Sequence, residues 1–150
     1  MRVRLFQRWP ILACLVFVGL SVMSCREAHH SVDVHDVEDG VWSAPEIFCY
    51  DNEDSLSKRD IAIVVRYGEG YVADSVALRI LTISPDSMVY EEPFALHIPR
   101  IKEVRPAEQT FLYRSRVVLG RKGEYQFRIT PERAVEGITS VGIVIDEADN

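Results

Sequence analysis

The sequence has no apolar run of the twenty or so residues that a bilayer-spanning helix needs, and only three cysteines and four histidines. Basic charge is also scarce: 17 Lys and Arg stand against 23 Asp and Glu. A clustered cationic face for nucleic acid is therefore excluded. No His-Glu-x-x-His, phosphate-binding loop, dinucleotide fingerprint or Gly-x-Ser-x-Gly elbow occurs, so zinc-protease, nucleotide and serine-hydrolase chemistry have no foothold. Apolar recurrence at three and four residues is nearly missing beyond the first segment, which excludes a helical bundle.

The beginning of the chain is organised. Arg2, Arg4 and Arg8 precede an apolar stretch from Ile11 to Met23. As a helix this stretch spans only about 20 Å, short of the ~30 Å hydrocarbon layer, and so reads as an export signal. It ends in Val22-Met23-Ser24-Cys25, with a branched aliphatic three before the cysteine and a small residue directly before it. That pattern predicts a signal peptide over 1–24 and acylation of Cys25, where two or more long chains make a durable membrane anchor. Removing the three arginines leaves 14 basic residues against 23 acidic ones, a net charge of −9. Cys14 leaves with the signal and Cys25 is the anchor. Cys49 then has no disulfide partner, and its neighbours Ile47, Phe48 and Tyr50 predict a small core residue and not a nucleophile.

Residues 25–38 are polar and without apolar period, and predict a flexible tether of roughly 20 Å r.m.s. span. His29, His30, Asp33, His35 and Asp36 carry metal-ligand atoms there, but their spacing matches no zinc pattern, and no metal or cofactor is expected. Over 39–150 the period is two. Ile61, Ile63, Val65 and Tyr67 alternate with Ala62, Val64 and Arg66, and Val76, Leu78 and Ile80 with Ala77 and Arg79. Tyr125, Phe127 and Ile129, then Val141, Ile143 and Ile145, repeat the pattern. About eight strands follow, near 42–50, 60–67, 74–83, 88–91, 94–99, 110–119, 124–130 and 139–146, with short helical turns at Arg105 to Gln109 and Pro131 to Val135. A single sheet leaves one apolar face wet, so the expected fold is all-β, an antiparallel β-sandwich.

Candidate chemistry is thin. His97 lies between Leu96 and Ile98 as a strand residue, Asp51-Asn52-Glu53-Asp54 lacks the spacing of a calcium loop and reads as a turn, and Glu91 and Glu92 fall on opposite strand faces. Arg79, Arg114, Arg116 and Arg128 alternate with the apolar sets and are expected to point outward. No catalytic residue is assigned.

One stretch is more specific. Gly123, Tyr125 and Phe127, followed after a short connection by Gly137, Ile138, Val141, Gly142 and Ile145, resemble the C-terminal region of the GldH-type gliding motility lipoproteins of Bacteroidetes. Trp42, Phe48 and Asp51, the apolar strand from Ile61 to Tyr67 and the lipobox resemble other parts of that family. The chain has Tyr67-Gly68-Glu69-Gly70-Tyr71 in place of a Tyr-Pro-Tyr segment, and no glycine or tryptophan from Pro99 to Gln109. The resemblance implies an outer-membrane-associated lipoprotein with no enzymatic activity, a component or assembly factor of the gliding and secretion machinery. Its expected partners are the membrane, through the lipid, and other envelope proteins. A rival expectation is a surface carbohydrate- or ligand-binding module, which predicts that Trp42, Tyr67, Tyr71 and Tyr90 form an exposed cluster.

Overall fold

A computed structural model of the chain describes residues 30–99 and 106–149. The predicted signal and Cys25 lie outside the described residues. Ten strands run through the described residues: β1 (His30–Asp36), β2 (Val41–Trp42), β3 (Glu46–Asn52), β4 (Lys58–Tyr67), β5 (Val76–Ile83), β6 (Val89–Leu96), β7 (Ala107–Val118), β8 (Gly123–Pro131), β9 (Val135–Glu136) and β10 (Ile138–Glu147). They form an antiparallel sandwich. One sheet has the order β1-β10-β4-β7, the other β3-β8-β5-β6, and β2 and β9 make a small ribbon. His35 of β1 stacks on Phe48 of β3 at 4.5 Å, and Phe94 of β6 meets Tyr113 of β7 edge-on at 5.3 Å. These contacts place β1 over β3 along one open side of the sandwich and β7 over β6 along the other.

The alternation fills the core as the sequence requires. Ile61, Ile63, Val65 and Tyr67 of β4, Leu78 and Ile80 of β5, Phe127 and Ile129 of β8, and Val141, Ile143 and Ile145 of β10 are all buried in one cluster. Each such side chain contributes about 1.5–3 kcal/mol on leaving water.

Several expectations are corrected. The tether predicted through residue 38 is already strand β1 from His30, paired with β10 from His30↔Asp146 to Asp36↔Ser140. Its inward row is Ser31, Asp33 and His35, so no apolar period marked it. Backbone pairing and the bond of His35 Nδ1 to Glu46 Oε2 at 2.9 Å hold it instead. Inward polar groups also blunt an edge strand against pairing with other chains.

The expected strand at 42–50 is split into β2 and β3 around Ala44 and Pro45. The strands expected at 88–91 and 94–99 are one, β6, running through Pro93. An edge strand tolerates proline because its missing N–H can face the open side. Neither helical turn is present where described: Ala107 to Gln109 belong to β7, and Pro131 and Val135 end β8 and open β9, where Val135 pairs with Trp42. Cys49 is exposed and not a core residue, because Phe48 and Tyr50 take the inward positions on either side. Arg79, Arg114 and Arg116 are exposed as expected, while Arg128 is half-buried.

Candidate functional site

The two sheets part on the β6/β7 side. Two register shifts in the β4–β7 pairing, between Arg59 and Ile61 and between Ile61 and Ala62, give β7 extra residues around Tyr113 and around Ser115 and Arg116. Arg116 has φ 55°, and its backbone N–H donates to Asp60 Oδ1 at 2.7 Å. Bulges of this kind bend a strand and re-aim its side chains. Beside them opens a cleft of about 630 Å³, floored by Ile61, Phe127 and Val117 and walled by Tyr90, Glu92 and Tyr113. That volume lies in the range of small-ligand sites.

The polar groups of the cleft are tied to one another. Tyr113 Oη donates to Glu92, whose other carboxylate oxygen accepts from Arg114, and the Arg114 guanidinium lies 5.2 Å from the centre of the Tyr113 ring. Deeper along the rim, Asp86 accepts from Ser84 Oγ at 2.5 Å and from Arg121 Nε at 3.0 Å. Those two bonds hold the Asp86 carboxyl below the usual range. Tyr90 stands on the inward row of β6 yet is 58% exposed. Among the described residues, no histidine or cysteine lines the cleft. It offers an aromatic face, an apolar floor and fixed charges, which suit binding.

Burial, and secondly the Glu92 carboxylate, push the Tyr113 phenol up to about 12. Its folded value thus exceeds the unfolded one of about 10. The protonated phenol's share of stability is full below pH ~10 and is lost as the pH rises through about 12. In an alkaline titration of tyrosinate absorbance, one tyrosine is expected to ionise near 12. Glu92→Gln is expected to move that phase downward, and an unmoved phase would contradict the Tyr113–Glu92 pairing.

A second feature lies on the outer face of the β1-β10-β4-β7 sheet. Register places Val32, Val144, Ala62 and Leu112 side by side across all four strands, with Val34, Gly142, Val64 and Thr110 in the next row. Val32 is 51% exposed, Val34 44% and Leu112 57%. Val64 is buried yet stands outside the core cluster. Gly142 lets Val34 lie flat on the sheet, since a Cβ there would come 2.7 Å from Val34 Cγ2. The rows beyond are polar: Asp36, Ser140, Arg66 and Glu108 on one side, with Arg66 paired to Glu108 at 2.9 Å, and His30, Asp146 and Asp60 on the other. A contiguous apolar patch inside a polar rim is the usual form of a protein-contact surface.

The residues singled out in the sequence are scattered. Trp42, Tyr67 and Tyr71 are buried and only Tyr90 is exposed, so the expected aromatic cluster is not there. Trp42 Nε1 donates to Ala44 O at 3.0 Å, and Tyr67 and Tyr71 pack edge to face at 5.3 Å. Asp54 closes its turn by accepting from Leu56 N at 2.8 Å and from Ser57 Oγ, and its carboxyl falls to about 2 through those two bonds. Glu91 pairs with Arg79 at 3.1 Å, and His97 is exposed beyond β6. Among the described residues, no three His, Cys, Asp or Glu side chains gather as metal ligands, and no helix is long and apolar enough to cross a membrane.

One residue with no sequence expectation stands out. Arg59 closes the inward row of β4 and is 1% exposed. Its Nε and Nη1 have no hydrogen-bond partner, and none of the ion pairs among the described residues includes it. Burying a cation whose donors lack hydrogen-bond partners is costly. Parity alone pointed to it: two residues before Ile61 on a strand is the same face.

No protein-family model and no curated protein sequence matches the chain. Among solved structures, the chain is similar to one from infectious bursal disease virus Gx strain, at 10% identity and TM-score 0.40 over 81% of the chain and 33% of that protein. It is also similar to a structure described as carbohydrate-binding modules of the β-sandwich superfamily, at 12% identity and TM-score 0.37 over 80% and 53%. A third is dimeric latent PorU from Porphyromonas gingivalis, at 7% identity and TM-score 0.34 over 81% and 13%. The chain thus spans from about an eighth to about half the length of these proteins.

Proposed function

We propose that this chain is a noncatalytic lipoprotein of the cell envelope, held at the outer membrane through acylated Cys25. Its sandwich acts by protein–protein contact as a component or assembly factor of a gliding motility or secretion machinery, as the likeness to the GldH-type lipoproteins suggests. The observation that carries this reading is the apolar patch across the outer face of β1, β10, β4 and β7, rimmed by charge. Burying it against a partner gains about 25 cal/mol per Å² of apolar area, before the costs of association.

Tagged protein recovered from cross-linked cells tests the reading. The wild type is expected to bring down envelope machinery components, and a Val34→Asp/Leu112→Asp variant with an unchanged melting temperature is expected to lose them. Recovery of the same components by that variant, or of none by the wild type, overturns it. Incorporation of a clickable fatty acid that disappears in Cys25→Ala tests the anchor separately.

A second reading has its own support in the β6/β7 cleft. Tyr90 offers an uncovered ring beside an apolar floor, the arrangement on which a sugar or other amphipathic small ligand stacks. Under that reading Tyr90→Ala removes ligand binding and leaves the partner set unchanged.

A further inference from the structure

Arg59 is a buried cation without an ion pair among the described residues, its Nε and Nη1 lack hydrogen-bond partners, and a second pocket opens onto it. This pocket, of about 270 Å³, lies on the β1/β3 side. Its walls are His30 and Ser31 at the start of β1, Tyr50 and Asp51 on β3, and Glu53. The charge of Arg59 is felt at the Tyr50 hydroxyl and at the Asp54 carboxyl. The inner end of the pocket is cationic, with the Nε and Nη1 donors of Arg59 unused. Its mouth is anionic, because Asp51 and Glu53 are both exposed there.

A bare anion that reaches Arg59 is opposed by two carboxylates, and a bare cation at the mouth is opposed by Arg59. A zwitterion satisfies both ends. The volume is that of a small polar group such as a headgroup. We infer that the pocket binds a phosphoethanolamine group, with Arg59 on the phosphate and Asp51 and Glu53 on the ammonium. Assigning that group to a lipid rests on the anchored reading above. His30 follows Cys25 by five residues, and five extended residues reach at most about 18 Å, so an acylated Cys25 keeps the mouth of the pocket near the headgroup layer.

The test uses the whole exported chain carrying Cys25→Ala, so that binding does not depend on acylation. Calorimetric titration is expected to show O-phosphoethanolamine binding about tenfold or more tighter than inorganic phosphate, ethanolamine or glycine. Arg59→Met is expected to weaken it by about tenfold or more while the ligand-free melting temperature stays level or rises, since the variant removes an unpaired buried charge. Asp51→Asn/Glu53→Gln, both at exposed sites, is expected to bring phosphate and phosphoethanolamine close to equal affinity. No binding, equal binding of phosphate or glycine by the wild type, or an unchanged preference in the carboxylate variant overturns the proposal, whether or not Arg59→Met folds. Flotation with phosphatidylethanolamine vesicles but not with phosphatidylcholine vesicles assigns the group to lipid, and flotation with neither overturns that assignment. A failed titration leaves the fatty-acid labelling of Cys25 unaffected, so the two readings fail separately.

Discussion

Gly137→Ala is expected to destabilise the domain by roughly 3 kcal/mol or more, whereas Gly40→Ala costs only about 1. Both glycines have positive φ, +81° and +66°, so both substitutions carry the left-handed penalty. They differ in what a Cβ meets. At Gly40 nothing lies within 4 Å, while at Gly137 a Cβ would stand 2.0 Å from Tyr71 N and 2.4 Å from Gly70 C. Those atoms are backbone and have little room to yield. The loop that would be displaced is bonded in place, by Gly68 N to Gly137 O at 2.9 Å and by Tyr71 N to Gly68 O at 3.0 Å. It also carries the buried Tyr71 against Tyr67. Denaturant unfolding of the two variants side by side checks this, and equal losses would show that the clash is relieved.

Removal of β1 has the second large effect. A chain beginning at Val37 is expected to lose about 2–4 kcal/mol and roughly 10 °C or more in melting temperature, and to self-associate. Without β1 the whole of β10 becomes an open edge. Ile143 and Ile145 lose the neighbours Asp33 and Ser31, and Phe48 loses the stacked ring of His35. A tether would give the opposite result, since cutting a solvated segment leaves the melting temperature in place. Thermal unfolding with analytical ultracentrifugation separates the two outcomes.

The inward rows were legible because a strand's parity is local. Once Ile61, Ile63 and Val65 face one way, the pleat fixes the positions between them. The same parity extended by two residues places Arg59 inside, a signal present in the sequence but outweighed by the expectation that arginine is solvated. β1 was not legible, since its inward residues are polar and its valines face outward, the reverse of the usual pattern. The split at Ala44 and Pro45 and the continuity of β6 through Pro93 turned on which strands lie at edges, and that is a property of the sheet.

The sequence by itself determined that the described chain is an antiparallel sandwich and which apolar residues meet in its core, because two-residue alternation is written into consecutive positions. The tertiary structure alone decided where that sandwich is open. The β6/β7 cleft arises from bulges in β7 that exist only relative to β4, and the outer patch exists only because four strand registers align Val32, Val144, Ala62 and Leu112 in one row. Each of these features depends on pairings between residues far apart in sequence, and no local period encodes them.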